Sequence, residues 1–351
     1  MKIFLVFKFI TSLFLFALLA GCGLIEGSGK HLAPLSSSII SKMKIIGSSQ
    51  NEAMLIRLFK EESELEIWKK TKNGTYKLLK TYDICTWAGV LGPKIKEGDR
   101  QSPEGFYSVT PGLMNPNSSY YLSFNTGFPN KFDRAHRRTG TNLMVHGSCS
   151  SAGCYAMTDE QIAEIYAIGR DSFRGGQKSF QLQLYPFRLT PKNLARHNKS
   201  EHIDFWRNLK IGYDAFEISK QKPNWDVCEG KYIFNPAGGK LNALGKCPTN
   251  SSRPELMAKV SAKQVSDLEI YKTLVAELEA NEDKKVAQAE KREKEKQESA
   301  IRTAAVNQAI NQQTQGFSTA LGGFFGGLFG EQKTITPANI IAPIPHPRLK
   351  R

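Results

Sequence analysis

The sequence is short of most features that mark the common functional classes. It has six histidines and six cysteines in 351 residues. No His/Cys/Asp group among them has the spacing of a metal site, so no metal or other cofactor is expected. No glycine-rich loop of the phosphate-cradling kind occurs, which argues against nucleotide chemistry. No apolar run reaches the roughly 20 residues that a spanning helix needs. Acid is short relative to base: 33 Asp and Glu against 48 Lys and Arg leave a formal charge of +15. That balance favours an acidic partner, whether nucleic acid, anionic lipid or an anionic wall polymer, without choosing among them. Apolar residues make up 40% of the chain, enough for a core in one large domain or two small ones.

The N-terminus makes the choice. Lys2 and Lys8 flank a short basic start, and residues 9–20 are apolar except for Thr11 and Ser12. The run ends in Leu19-Ala20-Gly21-Cys22. Such a run, ending in small residues, reads as a secretory signal peptide over residues 1–21. An uncleaved membrane anchor is the alternative. The Leu-Ala-Gly-Cys ending resembles a bacterial lipobox, in which Cys22 is lipidated and becomes the new N-terminus. Either way the rest of the chain lies outside the cytoplasm, which removes nucleic acid from the partners. Gly23 stands where an inner-membrane retention signal would carry Asp. In a two-membrane cell the expected location is therefore the cell envelope, on a lipid anchor in the outer membrane facing the periplasm.

Removing Cys22 leaves Cys85, Cys149, Cys154, Cys228 and Cys247. An odd count in an oxidising space leaves one thiol over, and a leftover thiol is a candidate for reactivity. Cys228 and Cys247 bracket a Gly/Pro/Asn-rich stretch that could close as a disulfide loop, stabilising by roughly 3 kcal/mol if unstrained.

Residues 22–50 are polar with little periodicity and read as a tether. Strand-like runs follow at 54–59 and 65–68. Another covers 76–82, behind the hairpin dipeptide Asn73-Gly74. Residues 120–124 and 142–145 read as further strands. Residues 158–167 read as a helix, with Thr158 as cap and Ile162, Ile165 and Tyr166 on one face. Residues 179–187 alternate again. A mostly β domain is thus expected over 54–188. An appended subdomain follows over 189–250, anchored by Phe205-Trp206 and residues 213–216. Of the 17 residues 282–298, 12 are charged, six of each sign. They belong to a solvated helix expected over 255–312. A flexible Gly/Pro-rich tail is expected over 313–351, with a glycine-aromatic patch at 322–329.

The informative stretch is His146-Gly147-Ser148-Cys149-Ser150-Ser151-Ala152-Gly153-Cys154-Tyr155-Ala156-Met157, between a strand and a helix. A small-residue loop lets the histidine and Cys154 fold onto one another, and an imidazole that takes a thiol's proton makes it a nucleophile. The following helix N-terminus would add thiolate stabilisation, and backbone N–H groups of Gly153 and Cys154 could form an oxyanion hole. Cys149 has three open roles: a disulfide with Cys85, a second thiol near the nucleophile, or a regulatory bridge to Cys154. Ser151 either bonds within the site or satisfies a turn, and Tyr155 either lines a groove or packs in the core. Arg134, His136, Arg137 and Arg138 form a basic stretch, either solvated or binding a substrate carboxylate. Asp99 and Glu104 are structural acids or contacts to a substrate amine.

His146-Gly147 followed by Ser151-Ala152-Gly153-Cys154 resembles the signature of the L,D-transpeptidase (YkuD-type) catalytic domain. The fuller runs Met144-Val145-His146-Gly147 and Gly153-Cys154-Tyr155-Ala156-Met157-Thr158-Asp159 resemble its YafK-like branch. Gly92-Pro93-Lys94, the run from Gly98-Asp99-Arg100 through Pro103-Glu104-Gly105-Phe106-Tyr107, Phe205-Trp206 and Phe216-Glu217 extend the resemblance over residues 54–235. It implies a mainly β, L,D-transpeptidase-like β-sandwich catalytic domain with a small α/β extension, a long C-terminal helix and a disordered tail. It implies Cys154 as nucleophile, His146 as proton donor and acceptor, and Gly147, Ser151 and Gly153 in the substrate loop. The implied reaction is acyl transfer on diaminopimelate-containing stem peptides of peptidoglycan, in cell-wall remodelling. The implied partners are those stems, the membrane through the lipid anchor, and a wall-linked lipoprotein.

Two departures stand out. The family often carries Arg two positions after the cysteine, where this chain has Ala156, and the His–Cys loop is shorter. Loss of that Arg removes a bidentate partner for a substrate carboxylate. Some YafK-like proteins are associated with hydrolysis, so a hydrolase that releases a lipoprotein from peptidoglycan stands beside the transpeptidase. A non-catalytic wall-binding lipoprotein and a scaffold working through the C-terminal helix also fit parts of the chain.

Overall fold

The computed structural model describes residues 29–325. The expected signal peptide, the lipidation site Cys22 and the tail beyond residue 325 lie outside the described residues.

The chain enters through a 3-10 turn at Lys30–Leu32 and helix α1 (Ser37–Ile45), whose cap Ser36 accepts the Ile39 N–H at 3.3 Å. Most of this segment falls in the expected tether, and the structure corrects that reading. Leu35, Ile39 and Met43, at helical spacing, are buried in the main core. Their burial outweighs the entropy of ordering a short helix that the polar sequence around them hides.

Two five-stranded sheets follow. The first comprises β1 (Met54–Phe59), β2 (Glu64–Lys70), β3 (Tyr76–Asp83), β5 (Gly105–Val109) and β10 (Phe180–Tyr185), in the order β3-β2-β1-β10-β5. The second comprises β4 (Thr86–Trp87), β6 (Met114–Asn115), β7 (Ser123–Asn125), β8 (Met144–His146) and β9 (Tyr155–Ala156), in the order β4-β9-β8-β7-β6. Between and after them lie α2 (Lys131–Ala135), α3 (Asp159–Arg174), α4 (Pro191–Arg196), α5 (Ile203–Ser219), the hairpin β11 (Trp225–Cys228) and β12 (Lys231–Phe234), and α6 (Pro254–Phe325).

The period-2 pattern of β1 and β10 explains why the first sheet is covered on both faces. Met54, Ile56, Leu58, Phe180, Leu182 and Leu184 join the main core with Phe124, Val145 and Tyr155 of the second sheet and Ile162 and Ile165 of α3. The alternate residues Phe59 and Tyr185 pack with Trp206, Leu209 and Tyr213 of α5. That second face carries polar side chains, which are buried and must find partners. Gln181 donates to the Pro223 carbonyl at 3.0 Å, Gln183 donates to Gln181 at 2.7 Å, and Tyr185 donates to Gln183 at 3.0 Å. Arg57 reaches Glu217 at 2.5 Å. The segment expected as an appended subdomain thus lays α5 over a face of the sheet.

Among the described residues helix exceeds strand, 42% against 19%, so mixed sheets with a long C-terminal helix describe the fold, and the mainly β expectation does not extend to the whole of it. The strand pattern was legible, but α3, α5 and the long α6 outweigh it. The first compact unit runs to Leu278, and the second begins at Glu279. Within the first, Leu256 and Val260 of α6 bury against Ala215 of α5. Lys210 bridges Asp214 and Asp267 there. The helix expected over 255–312 extends to Phe325.

Candidate active site

The second sheet sets the geometry. Strands β8 and β9 pair in parallel, Val145 with Tyr155 and His146 with Ala156. His146 therefore ends one strand and Cys154 precedes the next, joined by residues 147–153. That loop is fastened at almost every step. Gly147 N–H donates to the Tyr120 and Leu122 carbonyls at 3.0 and 3.2 Å. Ser148 N–H donates to Asp159 Oδ1 at 2.8 Å, and Cys149 N–H to the Met157 carbonyl at 3.1 Å. Cys149 is disulfide-bonded to Cys85, with Cα atoms 5.2 Å apart, and Cys228 is bonded to Cys247. Cys154 is the free cysteine of the described residues.

Two glycines are required by this path. A Cβ on Gly147 would lie 2.5 Å from Asp159 Oδ1 and 3.0 Å from the Tyr120 carbonyl. Gly153 has φ +142°, which side-chain-bearing residues rarely adopt. Ser151 closes the turn: its hydroxyl accepts the Gly153 and Cys154 N–H groups at 3.3 and 2.9 Å and donates to the Cys154 carbonyl at 2.6 Å. The two N–H groups expected to hold an oxyanion are thus engaged by a local hydroxyl, the competition that serine offers in any turn. Ser102 donates to the same carbonyl at 2.9 Å, fixing the 98–105 segment against the cysteine. Tyr155 is fully buried, its hydroxyl on the Pro103 carbonyl, and belongs to the core.

The electrostatics differ from the sequence expectation. Burial pushes the Cys154 thiol up, against the opposing pull of the Met144 N–H and the Lys94 charge. Burial pushes the His146 imidazole down, with the Gly147 carbonyl opposing. At neutral pH both groups are therefore uncharged. The helix N-terminus does not rescue the thiolate, because β9 intervenes before α3. Its first turn is closed by a capping box of Thr158 and Gln161. Cys154 Sγ lies against the Met144 N–H at 3.3 Å and the Asn142 carbonyl at 3.6 Å. His146 is 3% exposed, with its ring centroid 4.7 Å from that of Tyr120.

This resting state makes a testable statement. An ordinary thiol is a few per cent thiolate at pH 7, and Cys154 should be less ionised. In soluble protein lacking residues 1–22, iodoacetamide should alkylate Cys154 at pH 7 more slowly than it alkylates free cysteine. The rate should climb about tenfold per pH unit into the alkaline range. Peptide mapping reads this directly. A rate at pH 7 equal to that of free cysteine would mean that a thiolate–imidazolium pair already exists.

His146, Ser151, Gly153 and Cys154 line one cleft of about 400 Å³; Gly147, expected in the same loop, is not among its lining residues. Arg134, His136, Arg137 and Arg138 do not reach it. Arg138 pairs with Asp133 at 3.1 Å, His136 bonds the Gly230 carbonyl at 2.7 Å, and Arg134 bonds the Pro129 carbonyl. Asp99 and Glu104 are both structural. Asp99 accepts the Ile95, Lys96 and Gln101 N–H groups and pairs with Lys94 at 2.5 Å. Burial would raise its carboxyl, but these donors hold it below the usual carboxylate range. Glu104 is fully buried: it pairs with Lys60 at 2.9 Å and accepts from Gly92 N–H at 2.7 Å and Trp206 Nε1 at 2.8 Å. Sequence reasoning missed roles for Glu97, Arg100, Tyr120 and Asn142, all on the cleft wall. Arg100 stands inside the family-like run from Gly98 to Tyr107, which was the signal available.

No family model matches the chain. A curated protein of Escherichia coli (strain K12), provisionally named L,D-transpeptidase YafK, is 44% identical over 209 residues, 60% of this chain and 82% of that protein. The same figures hold for its counterpart in Escherichia coli O157:H7. Among solved structures, the helical cell shape determining protein Pgp2 from Campylobacter jejuni is 16% identical with a TM-score of 0.31, covering 56% of this chain and 81% of that one. At that score the structural likeness is too loose to bear on function.

Proposed function

The chain belongs to the YafK-like L,D-transpeptidase family, and from that membership we propose that it is a cell-wall enzyme working through a Cys154 thioester on diaminopimelate-containing stem peptides. The observation that carries this reading is that the free thiol and an oriented imidazole open into one cleft. His146 Nδ1 lies 2.6 Å from the Gly147 carbonyl. A carbonyl only accepts, so Nδ1 carries the proton and Nε2 is left with the lone pair that a general base needs.

The proposed sequence follows. His146 Nε2 takes the Cys154 proton, and the Met144 N–H stabilises the sulfur as it becomes thiolate. Sulfur attacks the peptide carbonyl, and the tetrahedral intermediate expels an amine that His146 protonates. An incoming amine then gives transfer, and water gives hydrolysis. The chain is further proposed to work at the envelope, held by lipid on Cys22 and facing the periplasm.

Mass spectrometry of soluble protein, wild type against Cys154→Ala, with intact sacculi and with lipoprotein-linked muropeptides tests the reading. New 3,3-cross-linked products that require Cys154 are the expected result for a transpeptidase. Cys154-dependent release of the linked protein would make it a hydrolase of the same mechanism. With the thiol shown to be reduced, no Cys154-dependent product in either arm would sink the catalytic reading and leave a wall-binding protein.

A further inference from the structure

We propose that Glu97 and Arg100 form a subsite for a zwitterionic amino-acid terminus, an ammonium and a carboxylate on one carbon, beside Cys154. The inference rests on the stem-peptide reading and names what the cleft recognises in the stem: the free side-chain end of the diamino acid.

Position comes first. Both residues line the cleft that holds Cys154 and His146. Arg100 Cα lies 3.9 Å from where a Cβ on Gly153 would sit, so its loop faces the residue next to the thiol. The loop is built to hold that place. Asp99, between the two residues, gathers three backbone N–H groups and the Lys94 ammonium. Gln101, the next residue, is locked by bonds to Val90 and Gly92. Arg100 itself has φ +52°, a left-handed conformation uncommon for a residue with a side chain. The fastening on either side holds that backbone, and the Arg100 side chain is exposed on the cleft wall.

Charge comes second. Lys94, the other cation of the cleft wall, is 3% exposed in its side chain and already bonded to Asp99 and the Lys96 carbonyl. Among the described residues Arg100 and Glu97 have no ion-pair partner, and they do not pair with each other, although three residues apart. The Glu97 carboxylate receives only the Thr141 hydroxyl at 3.5 Å. The wall thus presents one unspent guanidinium and one unspent carboxylate on a single short loop. Elsewhere the carboxylate partner is missing. Position 156 is alanine, fully buried beside His146, and none of Arg134, His136, Arg137 and Arg138 lines the cleft.

Chemistry comes third. A guanidinium suits a carboxylate because its planar fork can give two charge-assisted hydrogen bonds. A carboxylate suits an ammonium. A stem whose side chain ends in both satisfies both residues. One ending in an ammonium alone, or in an amidated carboxyl, leaves Arg100 unmatched.

The test compares three stem peptides: one with a free diaminopimelate terminus, one with that carboxylate amidated, and one with lysine in its place. Wild-type kcat/KM should favour the free terminus about tenfold over the other two, the worth of one charge-assisted contact at a partly solvated site. Arg100→Gln should bring that ratio close to one. Glu97→Gln should weaken all three stems, which share the ammonium, and should do little to a stem whose side-chain amine is acetylated. Equal losses on every stem in Arg100→Gln, or an unaltered ratio, would overturn the proposal. Binding of the same peptides to Cys154→Ala protein, read by calorimetry, separates this inference from the catalytic one. An Arg100-dependent preference in binding upholds the subsite even if the wild type turns over no stem, and its absence refutes the subsite even if turnover is seen. Thermal melting of both variants at the wild-type temperature excludes a folding defect as the cause.

Discussion

Replacing His146 by alanine should slow thioester formation by about 10²–10⁴-fold, the usual range for losing a positioned general base. The size follows from the resting charges. If thiolate and imidazolium were preformed, the thiolate would persist through other contacts and part of the rate would survive. Here burial holds the thiol protonated and the imidazole neutral, so under the proposed mechanism each turnover would begin with a proton transfer, and His146 is the imidazole that shares the cleft with Cys154. The variant should recover rate as pH rises, close to tenfold per unit, because hydroxide then does what the imidazole did. The wild type should show the reverse sensitivity on the acid side. A depressed imidazole stays neutral, and so remains a base, to lower pH than a free histidine, so the acid limb should fall below pH ~6.5. Single-turnover mass spectrometry of the acyl-enzyme across pH reads both limbs. A loss under tenfold in the variant, or an acid limb at or above the free-histidine value, would reject the assignment.

Glu104→Ala is expected to cost about 3–5 kcal/mol of stability, as removal of one member of a buried pair usually does. Both Lys60 and Glu104 are fully excluded from water. The truncation strands the Lys60 ammonium with only the Gly92 and Ser102 carbonyls, and leaves the Gly92 N–H and Trp206 Nε1 without their acceptor. Burial already lowers the Lys60 pKa, so folding prefers its neutral form. The penalty is full below the folded pKa and is relieved as pH rises toward the unfolded value near 10.4. The variant should therefore regain stability in alkaline buffer. Urea unfolding of Glu104→Ala at two pH values tests this, with Lys60→Met/Glu104→Gln as the companion that removes both charges and keeps a side-chain acceptor for Trp206. The double variant should be the more stable of the two. If the single one loses less than about 1 kcal/mol, the ion pair is not what organises this loop.

The parts of the molecule set by local rules could be read in advance. The apolar run Met54–Phe59 and the alternation through Phe180–Tyr185 predicted their strands, and Thr158 with Gln161 in the first turn predicted the start of α3. The odd cysteine count singled out one thiol, and Cys154 is free. What failed depended on contacts distant in sequence. Helix α1 was hidden because three buried side chains in a polar stretch carry no visible stripe. The strand expected from residue 120 begins at Ser123, because Tyr121 takes φ +66° in a turn. The charge state of Cys154 was expected with the wrong sign, since spacing suggests a helix dipole and cannot weigh burial against it. The oxyanion donors expected at Gly153 and Cys154 are engaged for a similar reason: the Ser151 side chain, two and three residues away, accepts from both.

The Cys85–Cys149 bond has a meaning that emerges from where its second sulfur sits. Cys149 is five residues before Cys154, within the same small-residue loop. Unpaired, it would be the natural partner to close a ring onto Cys154, the proposed nucleophile, in an oxidising space. Tied to Cys85, it has no valence left to offer. The bond serves Cys154 as a protecting group serves a synthetic chemist: it occupies the competing thiol so that Cys154 is left single.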